Sequence, residues 1–269
     1  MKIAIGQIST GPNKTDNLEL VTHATTVAAQ NQAQLIVFPE ATMQAFGTGR
    51  LDETAEPLDG AFVDKLTTLA HDHNIAIVLG MFRPADQITT DGKTINRVFN
   101  TAIVVQPDGT RIHYDKIHTY DAFGYRESDT VKPGNQLVTF TYDNLTFGLA
   151  TCYDLRFPEQ FRQLARRGAE VILVPISWAG GPGKLQQRQL LIQARALDST
   201  SWLVAADQTH YENTTAPRGV GHSAFVRPDG SIAMEAGEDT EVLLFDTDPH
   251  LVHHMRTQIP VLVADETYD

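Results

Sequence analysis

The chain has 269 residues, of which 42% are hydrophobic and 20% charged, the proportions of a folded globular protein and not of a disordered, collagenous or coiled-coil one. A single cysteine rules out an internal disulfide, while a chain of this length buries roughly 70–75% of its extended surface and needs no staple. With 21 basic against 33 acidic residues the net charge is −12, which supplies no attraction to nucleic acid or anionic lipid.

KIAIGQ (2–7) reads as a first strand, too short an apolar run for a signal peptide, and no stretch approaches the ~18 apolar residues of a membrane span. The expectation is a soluble, cytoplasmic protein without nucleic-acid or membrane partners. Residues 18–32 carry Ala, Val and Leu at helical spacing, and QLIVFPE forms a second apolar run stopped by Pro39. Another helical pattern covers 58–73, a buried strand covers 75–82, and the polar DQITTDGK reads as a loop. Beyond it, a Pro-Asp-Gly turn at 107–109 joins two strands, and LVTFTYDNLTFGLATC forms a second hairpin.

A helix ending near Gly168, the strand VILVPIS, a long helix over 185–199 and the strand SWLVAADQ follow. A second Pro-Asp-Gly hairpin at 228–230 and the strand VLLFDTD complete the series. Helices alternating with apolar runs, interrupted by hairpins, predict mixed sheets covered by helices, an α/β layered sandwich. No linker, repeat or charge block divides the chain, which reads as one domain over 1–269.

Several chemistries lack their anchors. There is no G-x-S-x-G elbow, no P-loop and no G-x-G-x-x-G, and the histidine clusters HDH (71–73) and HLVHH (250–254) do not have metal-ligand spacing. They read as solvated surface, with no metal and no cofactor expected. Cys152 stands out by position: NLTFGLAT leads into it as a strand, and Pro158 and Glu159 open a helix shortly after. At such a turn, backbone N–H groups and a helix dipole lower a thiol pKa and make it a nucleophile. The same cysteine also fits a buried strand end as a small hydrophobe. Glu40 closes VFPE at a strand end, and Lys116 follows the strand after the first Pro-Asp-Gly turn. Alone, either is an ordinary loop charge.

Taken together, VFPE, YDKIHTYDAF, RESDTVKPG, LATCYDLRFPE, LVPISW, ARALDSTSW and GHS, in this order across residues 2 to 260, resemble the nitrilase superfamily of carbon-nitrogen hydrolases. The resemblance implies an α-β-β-α four-layer sandwich that pairs into a homodimer or higher homo-oligomer. It also implies a triad of Glu40, Lys116 and Cys152. Cys152 would attack an amide carbon, Glu40 would move the protons, and Lys116 with the Tyr153 N–H would stabilise the oxyanion. Glu127 matches the family's second glutamate, which orients the lysine and the substrate amide. Arg156, four residues beyond Cys152, is placed to grip a substrate carboxylate, or else to pair on the helix surface, and Trp178 to wall the pocket or fill the core.

KIHTYDAF, RES, SWAGGPGK and RALDSTSW are most similar to the Nit branch and, within it, to bacterial deaminated glutathione amidases, with ω-amidases as neighbours. The resemblance therefore implies a small 2-oxo acid amide as substrate. Deaminated glutathione, which yields 2-oxoglutarate and cysteinylglycine, comes first; 2-oxoglutaramate or 2-oxosuccinamate, then a carbamoyl amino acid or aliphatic amide, are the alternatives. The dipeptide leaving group needs open space, which the GGPG segment (180–183) would provide unless it is simply a mobile loop. The tail IPVLVADETYD departs from the basic stretch of Nit proteins. A non-catalytic, metabolite-binding member would have no reason to keep all three triad residues in matching contexts.

Overall fold

In the computed structural model, which describes residues 1–90, 92–210 and 219–263, β1 (Lys2–Gln7) leads through helix α1 (Lys14–Gln30) to β2 (Leu35–Val37). Helix α1 begins earlier than its apolar periodicity indicates because Asn13 caps it, its side chain accepting the Thr15 N–H at 2.9 Å. A one-turn helix α2 (Leu51–Thr54) and α3 (Ala61–His73) precede β3 (Ala76–Thr90), which returns as β4 (Lys93–Val105) and continues into β5 (Arg111–Asp115). A small ribbon, β6 (Asp121–Ala122) and β7 (Tyr125–Arg126), is followed by a 3₁₀ turn at Glu127–Asp129.

The second half runs β8 (Thr139–Tyr142), β9 (Leu145–Leu149), a 3₁₀ segment at Cys152–Arg156, α4 (Pro158–Arg166) and β10 (Val171–Ile176). It continues through α5 (Lys184–Ser199), β11 (Trp202–Asp207), β12 (Ala224–Val226) and β13 (Ile232–Glu235). Strand β14 (Glu241–Asp246) then returns to the first half, and α6 (Pro249–Gln258) follows it.

Two mixed sheets result, ordered β14-β1-β2-β3-β4-β5 and β13-β12-β11-β10-β9-β8. Strands β1, β2 and β3 are parallel, as are β9, β10 and β11, with antiparallel strands flanking each set. Ile3, Ile5, Leu35, Val37 and Val78 of the first sheet form one buried cluster with Phe147, Leu149, Leu173, Trp202 and Val204 of the second, so the sheets face each other. The alternate residues point outward. Ala4, Ile36 and Ile77 meet Val21 and Ala24 of α1 and Phe62 and Leu66 of α3, while Ile172, Val174 and Leu203 meet Phe161 and Leu164 of α4 and Ile192 of α5. The layers are therefore α-β-β-α, as expected. Burial on both faces explains why these strands read as continuous apolar runs without alternation. Truncating one such side chain, Leu173→Ala for example, costs about 2–5 kcal/mol.

The expected loop DQITTDGK is instead mostly strand. Strands β3 and β4 pair from Ile77↔Val105 out to Thr90↔Lys93, with a register shift between Pro84 and Gln87; Asp91 lies outside the described residues. Past Phe82 the ribbon leaves the core and is held by its hydrogen-bond ladder, so its residues need no apolar alternation. HLVHH lies in α6, with His250, His253 and His254 exposed. Of the tail, residues 264–269 lie outside the described residues. Among the described residues no helix is long and apolar enough to cross a membrane.

Candidate active site

The strands that run the same way deliver their chain ends to one place. Glu40 follows β2, Lys116 follows β5, Cys152 follows β9, and Ser177 and Trp178 follow β10. Catalytic groups of open α/β sheets commonly sit at such carboxyl ends. A cavity of about 370 Å³ opens there, with Glu40, Lys116, Glu127 and Cys152 on its walls, and its size suits a small ligand. Gly80 of β3 makes the Glu40 turn possible: a Cβ there would lie 2.5 Å from the Ala41 nitrogen and 2.7 Å from the Glu40 Cα. Ala41 at φ 56° and Cys152 at φ 44° both occupy the left-handed region, a strain that surrounding contacts must hold in place.

Lys116 is the centre of the cluster. Its Nζ donates to Glu40 Oε1 at 2.9 Å and to Glu127 Oε2 at 2.9 Å, with all three side chains almost wholly buried. Asn100, from β4, donates through Nδ2 to Glu40 Oε1 at 2.8 Å and Glu127 Oε1 at 3.0 Å. The Ser177 N–H donates to Glu40 Oε2 at 3.1 Å, and the Tyr120 N–H to Glu127 Oε2 at 2.6 Å. Each carboxylate is thus oriented by an ammonium, an amide and a backbone donor.

Burial raises Glu40 above the ordinary carboxylate range, with Lys116 opposing and Glu127 adding to the rise. Burial also penalises the Lys116 ammonium, yet Glu127, Glu40 and Cys152 outweigh it and hold Lys116 well above a free lysine. Cys152 departs from the sequence expectation of a lowered thiol pKa. Burial and the Glu40 carboxylate push its thiol well up, against the pull of Lys116 and the Ser177 N–H. The dipole argument fails because Cys152 opens a five-residue 3₁₀ segment, and α4 begins only at Pro158. Burial and the Glu40 carboxylate thus favour the protonated form of the Cys152 thiol, and burial raises the basicity of Glu40.

The remaining expected residues converge on the same cavity. Tyr153, Arg156 and Trp178 line it. Arg156 sits with its guanidinium carbon 5.4 Å from the Trp178 ring centroid and 5.9 Å from that of Tyr153, and its Nη2 donates to Gln187 Oε1 at 3.0 Å. Trp178 is buried, its indole N–H donating to the Lys184 carbonyl at 3.0 Å, so it both walls the pocket and packs in the core. Ala179 and Lys184 line the rim on either side of the GGPG segment.

Three supporting residues escaped the sequence reading. Asn100, beside Thr101, interrupts the apolar run VFNTAIVV and Asp207 ends the apolar run WLVAAD, and a buried polar residue in such a run was the available signal. Asp207 Oδ1 accepts the Trp178 N–H at 3.0 Å and the Gln208 N–H at 2.9 Å, while Oδ2 lies 2.9 Å from Arg188 Nε as an inaccessible ion pair. Burial pushes the Asp207 carboxyl up to about 7, against Arg188 and the two N–H donors. Asp154 joins the two catalytic turns. Its Oδ2 accepts from Tyr114 Oη at 2.6 Å and the Thr151 N–H at 2.8 Å, and its Oδ1 accepts the His118 N–H at 3.1 Å and lies 2.7 Å from His118 Nδ1.

The carbon-nitrogen hydrolase family profile matches residues 2–257. A protein described as a hydrolase from Mycobacterium tuberculosis is 43% identical over 97% of this chain and 94% of its own length. The deaminated glutathione amidase of Escherichia coli O157:H7 is 31% identical over 97% of this chain and 96% of its own. Among solved structures, Saccharomyces cerevisiae Nit3, of the nitrilase superfamily, superposes with a TM-score of 0.82 at 28% identity, covering 97% of this chain and 94% of that one.

Proposed function

The chain belongs to the carbon-nitrogen hydrolase family and hydrolyses amides, and from that premise we propose a cysteine amidase acting on a small 2-oxo acid amide, deaminated glutathione first. The observation that carries this reading is the buried contact set of Glu40, Lys116 and Glu127 on the walls of the cavity that Cys152 lines.

Glu40 accepts the Cys152 thiol proton as sulfur attacks the amide carbon, which spares the enzyme a standing thiolate in a buried site. The oxygen of the tetrahedral intermediate takes its charge against the Lys116 ammonium and the Tyr153 N–H, donors of a kind worth about 2.7–4 kcal/mol each in comparable sites. Collapse breaks the C–N bond, and Glu40 returns the proton to the leaving amine, leaving a thioester on Cys152. A water that surrenders its proton to Glu40 then attacks the thioester carbon, the C–S bond breaks to release the acid, and Glu40 returns the proton to the Cys152 sulfur. Glu127 holds Lys116 in place throughout. Arg156, which lines the cavity, grips the 2-oxo acid carboxylate, and Trp178 packs against the acyl chain.

The same reading takes the chain as a single carbon-nitrogen hydrolase domain, working without cofactor in the cytoplasm as a homodimer or larger homo-oligomer. An assay of the purified protein on deaminated glutathione, 2-oxoglutaramate and a carbamoyl amino acid tests the substrate. The highest kcat/KM is expected for deaminated glutathione; a higher value for 2-oxoglutaramate would make the enzyme an ω-amidase.

A further inference from the structure

Glu40 follows β2 of the first sheet and Cys152 follows β9 of the second, so base and thiol meet only if the two sheets are locked together at this point. The second sheet grips Glu40 at three places. Its N–H donates to the Ile176 carbonyl at 3.2 Å, its Oε2 accepts the Ser177 N–H at 3.1 Å, and its backbone carbonyl accepts from Gln208 Nε2 at 2.6 Å. The third contact has no part in the chemistry described above. Gln208, one residue past β11, is buried and does not line the cavity. Both ends of its side-chain amide are committed, since Oε1 accepts from Thr10 Oγ1 at 2.9 Å. Its backbone is fixed as well: the N–H donates to Asp207 Oδ1 at 2.9 Å, and the carbonyl accepts at 2.9 Å from the N–H of Gly221, which opens the GHS motif.

The carbonyl that Gln208 holds belongs to the peptide entering Ala41, a residue with a side chain at φ 56°. L-residues avoid that region, so the turn relaxes by rotating this peptide unless a donor fixes its oxygen. Rotation shifts the Glu40 backbone from which the carboxylate projects towards Lys116. We propose that Gln208 is a positioning residue for the general base: acting through the Glu40 carbonyl and braced by Thr10, it holds the strained turn so that the carboxylate stays in register with Cys152 for each proton transfer. The inference rests on the amidase reading above, with Glu40 as its base, and extends that site to a residue behind the cavity wall. A displaced carboxylate weakens proton transfer in the transition state. Substrate binding is spared, because Gln208 lies outside the cavity.

Gln208→Met keeps the length of the side chain and removes its hydrogen-bonding groups. With deaminated glutathione it should lower kcat about tenfold and leave KM unchanged, the signature of a misplaced group that acts only in the transition state. p-Nitrophenyl acetate supplies a second readout. Its initial burst of p-nitrophenolate counts the sites that Cys152 can acylate, and the steady rate that follows reports the water attack that needs Glu40. The burst amplitude should be unchanged and the steady rate should fall about tenfold. Gln208→Glu is the rescue: at about pH 6 burial keeps its carboxyl neutral, able to donate to the Glu40 carbonyl as the amide does, and most of the rate should return. If Gln208→Met does not fold, Gln208→Asn, one methylene too short to reach that carbonyl, takes its place. Wild-type rates in the folded variant, or losses that merely follow the burst amplitude and so report missing sites, would overturn the proposal. The same fall with the ester in a protein that hydrolyses no amide would instead refute the amidase assignment and leave the role of Gln208 standing.

Discussion

Lys116 Nζ lies 2.9 Å from Glu40 Oε1 with both side chains within 2% of complete burial, so neither charge has water to fall back on. Such a pair contributes little net stability against an apolar substitute, but it is costly to break from one side only. Retention of the pair at the cavity wall points to chemistry, where a preoriented ammonium beside a base is useful.

Lys116→Met should abolish turnover and destabilise the protein by about 3–5 kcal/mol, since it leaves two buried carboxylates facing each other. The loss should depend on pH. Burial already raises Glu40, and without the opposing Lys116 its folded-state pKa rises further above the unfolded value, so stability is intact at low pH and is lost as pH rises through the folded value. Urea unfolding at pH 5 and pH 8 measures this, and the variant's deficit is expected to be larger at pH 8.

Asp154 ties the turn after β5 to the turn before α4 through four hydrogen-bonding groups on Tyr114, Thr151 and His118. Removing a buried acceptor leaves each donor to bear its own desolvation, about 1–3 kcal/mol apiece before relaxation. Asp154→Ala should cost about 3–5 kcal/mol and depress kcat. Asp154→Asn, which keeps one acceptor oxygen, should lose less on both counts in thermal melts and steady-state assays.

Asp207 has a folded pKa of about 7, raised by burial and by Glu40 against Arg188 and the Trp178 and Gln208 N–H groups. An acid with a folded pKa above its unfolded one contributes stability below the unfolded value, which is lost as pH climbs through the folded value. Wild type should therefore lose stability relative to Asp207→Asn between about pH 4 and 7, the unfolded and folded ends of the window. Denaturation of both proteins across this range checks it, and parallel curves would remove the assignment.

Arg156→Lys keeps the charge but loses the planar fork that matches a carboxylate. If Arg156 holds the substrate's acyl end, KM should rise about tenfold with kcat changed little, the pattern of lost uniform binding. An equal fall in kcat and kcat/KM would show instead that Arg156 acts only in the transition state.

The layered architecture was legible because strands buried on both faces leave unbroken apolar runs, as in VILVPIS and SWLVAADQ. Beyond Phe82 that signal ends: residues 85–90 and 93–97 form a ladder outside the core, and no burial marks them as strand. Cys152 was conspicuous as the lone thiol at a strand end, and Glu40 and Lys116 gained meaning from their family contexts. Distance in sequence hid the remainder. Nothing local says that Asn100 bridges Glu40 and Glu127, or that Asp154 faces Tyr114 across 40 residues. The thiol pKa was misjudged for a related reason, since the nearby helix was visible in sequence while the burial and the Glu40 charge that outweigh it were not.

Acid-quenched intact-mass spectrometry during turnover of deaminated glutathione tests the central claim most directly. One added 2-oxoglutaryl group should appear on wild type, map to Cys152 and be absent from Cys152→Ala, which should have no activity. Sustained hydrolysis by a folded Cys152→Ala protein, or an adduct on any other residue, would contradict the account.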